Sequence, residues 1–181
     1  MQEKFKIYNR HSIRIKEYDY STEGMYFITI CTHNRKCILS KIIFQHIKNN
    51  VGTGPVSAQI KLTHEGNIIE KAYLDLEKEF INIKVHDYVI MPNHLHGIIQ
   101  INQWADTGPA PTLSDIICSF KTRTTGQIIK QIKRGICKPF NKRFWQRNYY
   151  EHVIRNENEL YEIQKYIQYN PLNWEKDKYN C

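Results

Sequence analysis

Apolar residues recur along this chain with helical and strand periods, which together predict its main elements. A dense run of β-branched and aromatic residues predicts a first strand over Met25–Thr32. Apolar residues at helical spacing predict helices from Thr63 to Phe80, from Leu113 to about Ile132, and over 157–169. The last helix has the clearest boundaries, because a capping residue precedes it and a proline follows it.

The middle of the chain predicts two further strands joined by a tight turn. They cover Asn82–Met91 and His94 to about Ile101, and Pro92-Asn93 supplies the turn. Glycine and proline predict loops over 51–58 and 106–112. Residues 33–49 fit neither period.

This order of elements predicts an α+β domain. A β-α-β-β-α-β order followed by a final helix is typical of a ferredoxin-like (RRM-like) fold, with an antiparallel sheet and helices on one face. The 181 residues fit a single domain, in which residues 1–20 form a basic N-terminal arm. We expect the strand that begins at His94 to be an inner one, with one face open to a ligand.

Charge favours a nucleic-acid partner. The chain has a net charge of +8, and 12% of its residues are aromatic. A basic surface attracts phosphates, and rings stack on unpaired bases. The first residues lack the apolar core of a signal peptide, and no apolar run approaches the ~20 residues of a membrane span. We therefore expect a cytoplasmic protein without a membrane partner.

The pair His94 and His96 is the strongest candidate for metal chemistry. Residues i and i+2 of a strand point to the same face, so both imidazoles can converge on one ion. Neutral imidazole is a common metal ligand. The alternative is two histidines on a solvated strand face, and the spacing alone leaves both open.

The last helix carries oxygen donors that would complement such a site. Glu162, Tyr166 and Asn170 follow one another at intervals of four and therefore share a face. A tyrosine hydroxyl is a candidate nucleophile for phosphorus, and an amide oxygen is a candidate metal ligand. The alternative for Tyr166 is a ring that packs on an amphipathic helix.

The segment Lys133–Arg147 interleaves basic and aromatic residues. Arg143, Arg147 and Trp145 belong to it, and this mixture suits a single strand or a hairpin tip. The alternative is a solvated loop whose rings enter the core.

Three motifs in order resemble one known family. They are Met91-Pro92-Asn93-His94-Leu95-His96, the block from Phe144 to Asn156, and Tyr166-Ile167-Gln168-Tyr169-Asn170-Pro171. The chain resembles the HUH-type single-tyrosine transposases, and within them the REP-associated tyrosine transposases, over roughly residues 10–175.

The resemblance implies a role for each residue. His94, His96 and Asn170 would bind Mg²⁺ or Mn²⁺, and Tyr166 would be the catalytic nucleophile. Family members cut single-stranded DNA near hairpins through a 5′-phosphotyrosine link. Tyr149 and Tyr150 are rival nucleophiles, although no amide or acid ligand lies one helical turn beyond them. His152 is either a strand residue or a contact to the site.

DNA contacts are expected from basic residues in several segments. Phosphates would be positioned by Lys121, Arg123, Arg143 and Arg147, with Arg14 of the arm as a further contact, and Trp145 would stack on a base. Monomer and homodimer both stay open.

Two other functions compete with DNA nicking and strand transfer. One is a hairpin-binding protein without catalysis, and the other is a metal phosphodiesterase for a small nucleotide. The charge of +8 argues against the latter.

Overall fold

The computed structural model describes residues 22–49, 52–103, 111–177 and 179–180. The expected basic arm, which includes Arg14, lies outside these residues, as does most of the expected loop at 106–112. In chain order the elements are β1 (Gly24–Cys31), β2 (Ser40–Asn49), β3 (Gly52–Leu62), α1 (His64–Leu74), α2 (Leu76–Glu79), β4 (Ile83–Ile90), β5 (His94–Ile101), α3 (Leu113–Lys133), β6 (Tyr150–Ile154) and α4 (Glu157–Tyr169).

The main sheet has the order β4-β5-β1-β6, and all of its neighbours are antiparallel. With α1 between β1 and β4, and α3 between β5 and β6, this is the ferredoxin-like arrangement. The expected fold class is therefore confirmed. β5 is an inner strand, as expected, since β4 and β1 flank it.

A second, two-stranded sheet formed by β2 and β3 is inserted between β1 and α1. The predicted loop over 51–58 is therefore wrong for the described part, because β3 starts at Gly52. Pairing with β2 overrides the weak strand propensity of glycine and proline there. Ile42 and Ile60 of this hairpin pack against the main sheet.

Two apolar clusters lie on opposite faces of the main sheet. The larger one joins the sheet to α1 and α3 and includes Tyr26, Leu95, Ile99 and Phe120. The smaller one joins the other face to α4 and includes Phe27, Val89, Met91, Ile98, Ile154 and Ile167. Strand alternation explains the division, because successive side chains of β1 and β5 point to opposite faces.

Gly97 lets a helix approach the sheet next to His96. A Cβ at this position would lie 2.2 Å from the hydroxyl oxygen of Tyr73, which donates to the carbonyl of Ile98 at 3.1 Å. The Tyr73 ring is fully buried. A side chain at position 97 would displace this ring, and α1 with it.

The long helices begin and end close to their predicted positions. Asn156 caps α4 by accepting from the backbone N–H of Glu159 at 2.9 Å, and Thr112 caps α3 in the same way. The predicted helix from Thr63 to Phe80 is interrupted at Asp75, which separates α1 from α2. Among the described residues, no helix has the length and apolar character needed to cross a bilayer.

Candidate active site

His94 and His96 point to the α4 face of the sheet and converge. Their Nε2 atoms are 2.9 Å apart, and the ring centroids are 4.3 Å apart. The side chains are 0% and 1% exposed, so the expected open face is covered in this structure. Tyr166, Trp174 and Tyr179 provide ring contacts over the pair.

The remaining ring nitrogens hold the imidazoles in this orientation. Nδ1 of His94 is 2.7 Å from Oδ1 of Asn93, and Nδ1 of His96 is 2.8 Å from Oγ1 of Thr29. Thr29 lies directly opposite His96 in the β1–β5 register. With each Nδ1–H as donor, both Nε2 lone pairs point to the same place, as metal-binding histidines require.

Tyr166 reaches this place from α4. Its hydroxyl oxygen lies 3.2 Å from Nε2 of His96, and the residue as a whole is 42% exposed. Burial raises the pKa of Tyr166 to about 12, and the negative charge of Asp177 adds to this rise. The hydroxyl therefore faces the histidine pair while one side of the ring stays accessible.

Asn170 follows Tyr166 by one helical turn and is 2% exposed. Its Nδ2 donates to the Asp177 carboxylate at 3.1 Å, whereas its buried Oδ1 has no hydrogen-bond partner among the described residues. A buried carbonyl oxygen without a donor is costly unless a cation or another group satisfies it.

Asp177 completes a cluster that sequence reasoning missed. Ligand atoms of His94, His96 and Asp177 all lie within 4.8 Å of one another. The short 3₁₀ helix Pro171–Lys176 turns the chain back after α4, and the backbone N–H of Tyr179 then holds the carboxylate at 2.7 Å. No sequence motif marks Asp177, because its position depends on this turn.

These donors fit a divalent cation. Two cis ligands of an octahedral ion at about 2.1 Å lie roughly 3.0 Å apart, close to the separation of the two Nε2 atoms. Imidazole nitrogens suit first-row transition ions, whereas an amide oxygen and a carboxylate suit Mg²⁺ and Mn²⁺. The orphaned Oδ1 of Asn170 gives this fit an independent basis.

Two expected DNA contacts, Lys121 and Arg123, have partners within the protein. Nζ of Lys121 donates to the carbonyls of three residues of the following loop at 3.0–3.2 Å, and burial lowers its pKa to about 8. Arg123 donates to the carbonyl of Ala72 and forms an ion pair with Glu79. These contacts tie α3 to its neighbours.

Trp145 packs in the core on the helix side of the sheet. It is 4% exposed, and its indole N–H donates to Oγ1 of Thr124 at 2.9 Å. The expected stacking on a base requires an exposed ring, which this arrangement does not supply. Thr32 pairs with Trp145 through an isolated bridge and fixes the loop to β1.

Arg143 and Arg147 are exposed and line a groove between α3 and the 138–147 loop. Lys142 and Gln146 contribute to the same groove. Of the expected basic contacts that the structure describes, these two arginines are the ones presented to solvent.

The rival residues lie on β6 and beside it. Tyr150 is 39% exposed and contacts Phe27 at a centroid distance of 6.3 Å, whereas Tyr149 packs under Lys121. His152 pairs with Glu159 of α4 at 2.5 Å. Glu162, the first oxygen donor expected on α4, lines a pocket next to Tyr166.

Comparison with known proteins identifies the class of protein. The family model described as "Transposase IS200 like" matches residues 20–170. The chain therefore belongs to the IS200-like transposase family, and the expected resemblance is confirmed.

Two relatives come from Haemophilus influenzae. An uncharacterized protein is 36% identical over an alignment of 181 positions, which covers 95% of this chain and 93% of the relative. A protein provisionally named a REP-associated tyrosine transposase is 32% identical over 91 residues, or 46% of each chain.

A solved structure shares the fold. It is a REP-associated tyrosine transposase bound to a REP hairpin, with a TM-score of 0.55 and 20% identity over 88% of this chain and 74% of that one. Family membership and the His-His-Asp cluster together indicate divalent metal use.

Proposed function

We propose that this protein nicks single-stranded DNA beside a hairpin and transfers the strand through a covalent 5′-phosphotyrosine at Tyr166. The observation that carries the proposal is the approach of the Tyr166 hydroxyl to within 3.2 Å of the converged histidine pair. The proposed nucleophile and the proposed cation site therefore lie together on the α4 face of the sheet. Electrostatic stabilisation of a phosphoryl group is stronger in such a partly buried site than in water.

Tyr166 has the role of nucleophile. Its oxygen forms a bond to phosphorus as the phenol proton is lost, and the bond from phosphorus to the 3′ oxygen breaks. The departing oxygen takes up a proton and becomes a free 3′-OH. The link on Tyr166 conserves the phosphodiester, so a later attack by a 3′-OH restores the phenol and rejoins the strand.

His94, His96 and Asn170 are the proposed ligands of Mg²⁺ or Mn²⁺, and Asp177 is an additional carboxylate beside them. A bound divalent ion polarises the phosphoryl oxygen and stabilises the charge that grows in the transition state. Thr29 and Asn93 hold the two imidazoles in the required orientation. Asp177 also contributes the negative charge that a neutral histidine pair lacks.

The DNA partner is proposed from the family and from charge. The similar solved protein is bound to a REP hairpin. Here Arg143 and Arg147 present positive charge beside α3, and Arg14 is a further expected contact. Tyr166 and the histidine pair meet within one chain, which supports a complete site in a monomer rather than a strict need for a homodimer.

The test is Tyr166→Phe, incubated with a single-stranded hairpin oligonucleotide and Mn²⁺. We expect the covalent protein–DNA adduct seen with the unchanged protein to disappear in denaturing electrophoresis, while binding stays within about twofold. Mass spectrometry should place the adduct of the unchanged protein on a peptide that contains Tyr166. An adduct that persists in Tyr166→Phe would remove this residue from its role.

Tyr169→Phe is the matched control, since Tyr169 lies on the same helix and is 49% exposed. Tyr150→Phe tests the nearest rival. Both variants should keep the adduct. Hairpin binding without nicking, unchanged by EDTA, would instead assign the chain as a DNA-binding protein without catalysis.

A further inference from the structure

A pocket of about 330 Å³ opens from the reacting groups toward the β6 edge of the sheet. Thr29, His96 and Tyr166 form its inner end. Its size is at the lower end of the range for small-ligand pockets. The pocket begins at the proposed nucleophile, so a nucleotide attacked there would have its base within reach of the cavity.

Aromatic rings form the walls of this pocket. Phe27 makes edge contacts with Tyr166 at a centroid distance of 6.0 Å and with Tyr150 at 6.3 Å. Phe27 is nearly buried, whereas Tyr150 and Tyr166 are 39% and 42% exposed. Half-exposed rings on a rigid floor are the surfaces on which unpaired bases stack.

Carboxylates form the outer end of the pocket. Glu159 accepts from His152 at 2.5 Å and from the backbone N–H of Arg155 at 2.7 Å, so both of its oxygens are engaged. Glu162 forms an ion pair with Lys165 at 3.5 Å through one oxygen, and its side chain is 71% exposed. Because a carboxylate can accept several hydrogen bonds, Glu162 retains acceptor capacity on the pocket side.

The acceptor oxygens at this end select the part of a nucleotide that can bind there. A phosphate also carries only acceptor oxygens, and it is drawn instead to the cation site and to basic residues. A base is uncharged, and its amino group donates to carboxylates, as cytosine N4 does. Thymine offers no amino group and presents two carbonyl oxygens, which a carboxylate repels.

We propose that this pocket holds one unpaired nucleobase that carries an amino group, beside the phosphate attacked by Tyr166, and that Glu162 selects this base. The inference rests on the proposed function and adds a direct readout of one base by the protein. Glu162 is a specificity residue in this account, and Tyr150 and Phe27 form the stacking platform.

Selection by binding tests the inference without requiring cleavage. Tyr166→Phe protein is mixed with hairpin oligonucleotides whose single-stranded flanks are randomised, and the bound fraction is sequenced. We expect one flanking position to be depleted of thymine by about tenfold, the discrimination given by a good side-chain contact to a base edge. Adding Glu162→Gln should reduce this depletion to about twofold, because an amide both donates and accepts.

Glu157→Gln is the control, since it removes the same charge from an exposed position of α4 outside the pocket. It should leave the thymine depletion unchanged, and thermal melting should show all variants folded. Absence of any thymine-depleted position, or depletion that Glu162→Gln leaves intact, would overturn the inference. Adduct formation by the unchanged protein would show in that case that the proposed function survives.

Discussion

The two faces of the main sheet differ in what they bury. The face toward α1 and α3 buries a large and almost wholly apolar cluster. Among the described residues, the face toward α4 buries a smaller apolar cluster, together with the polar side chains of Thr29, His94, His96 and Asn170. Strand β5 contributes to both faces, through Leu95 on one and His96 on the other.

Because of this difference, strand β5 contributes to stability through one face and to the candidate site through the other. Apolar burial stabilises by about 25 cal/mol per Å², whereas buried polar groups cost free energy unless each finds a partner. The helix face therefore anchors the sheet. The stability from the helix face offsets the cost of burying polar groups on the α4 face. These include Oδ1 of Asn170, which has no hydrogen-bond partner among the described residues.

Of the substitutions on β5, we expect His96→Ala to reduce adduct formation the most. Removing one of two converged imidazoles leaves too few ligands for the cation and uncovers the Tyr166 hydroxyl. We expect adduct formation to fall by about 10³-fold or more, with a smaller fall in melting temperature than a truncation on the apolar helix face causes. A nicking assay over a wide Mn²⁺ range measures the first quantity, and circular dichroism measures the second. Adduct formation by His96→Ala that equals that of the unchanged protein at every Mn²⁺ concentration would argue against a ligand role.

Leu95→Ala, one residue away, should show the opposite behaviour. Leu95 is fully buried on the helix face, so truncation leaves a cavity that typically costs about 2–5 kcal/mol in the free energy of unfolding. Urea denaturation should report this loss, while the folded fraction keeps its adduct yield per molecule. Equal stability losses in Leu95→Ala and His96→Ala would erase the proposed contrast between the faces.

The features that could be predicted from sequence are those set by local periodicity and caps. The strand starting at His94 and the helix over 157–169 agree with β5 and α4 because alternation, Asn156 and Pro171 act over a few residues. The β2–β3 hairpin depends on pairing between strands, which overrides the glycine and proline that predict a loop.

Long-range contacts decide which polar residues reach the site or the solvent. Asp177 approaches the histidines only because the chain turns back after Pro171. Lys121 and Trp145 fit a DNA-binding pattern, but tertiary packing turns one toward backbone carbonyls and the other into the core. Sequence patterns give residue types and faces, whereas burial requires the packed structure.

Asn170→Ala tests whether the polar groups of the α4 face bind a cation, because metal affinity can be measured separately from folding. Loss of the amide oxygen should weaken Mn²⁺ binding by about tenfold, and Asp177→Asn should have a similar or smaller effect, as removal of metal-supporting groups typically does. Electron paramagnetic resonance titration of Mn²⁺ measures affinity directly, without DNA. Asn173→Ala is the control, because Asn173 lies in the next turn and its side chain donates to the carbonyl of Tyr169. Unchanged Mn²⁺ affinity in both test variants would remove the two residues from the cation site.

Arg143→Ala and Arg147→Ala test whether the helix side of the molecule also contributes to function. Both arginines line the groove beside α3, and removing either should weaken hairpin binding by about three- to tenfold if it neutralises a phosphate. The slope of log affinity against log salt should also fall by roughly 0.7–0.9 for each phosphate no longer neutralised. Fluorescence anisotropy over a salt series measures both quantities. Lys84→Ala removes an exposed charge from the sheet edge at β4 and should change neither. If the arginine variants lose affinity without a smaller salt slope, the groove does not bind phosphate, and DNA recognition returns to the α4 face alone.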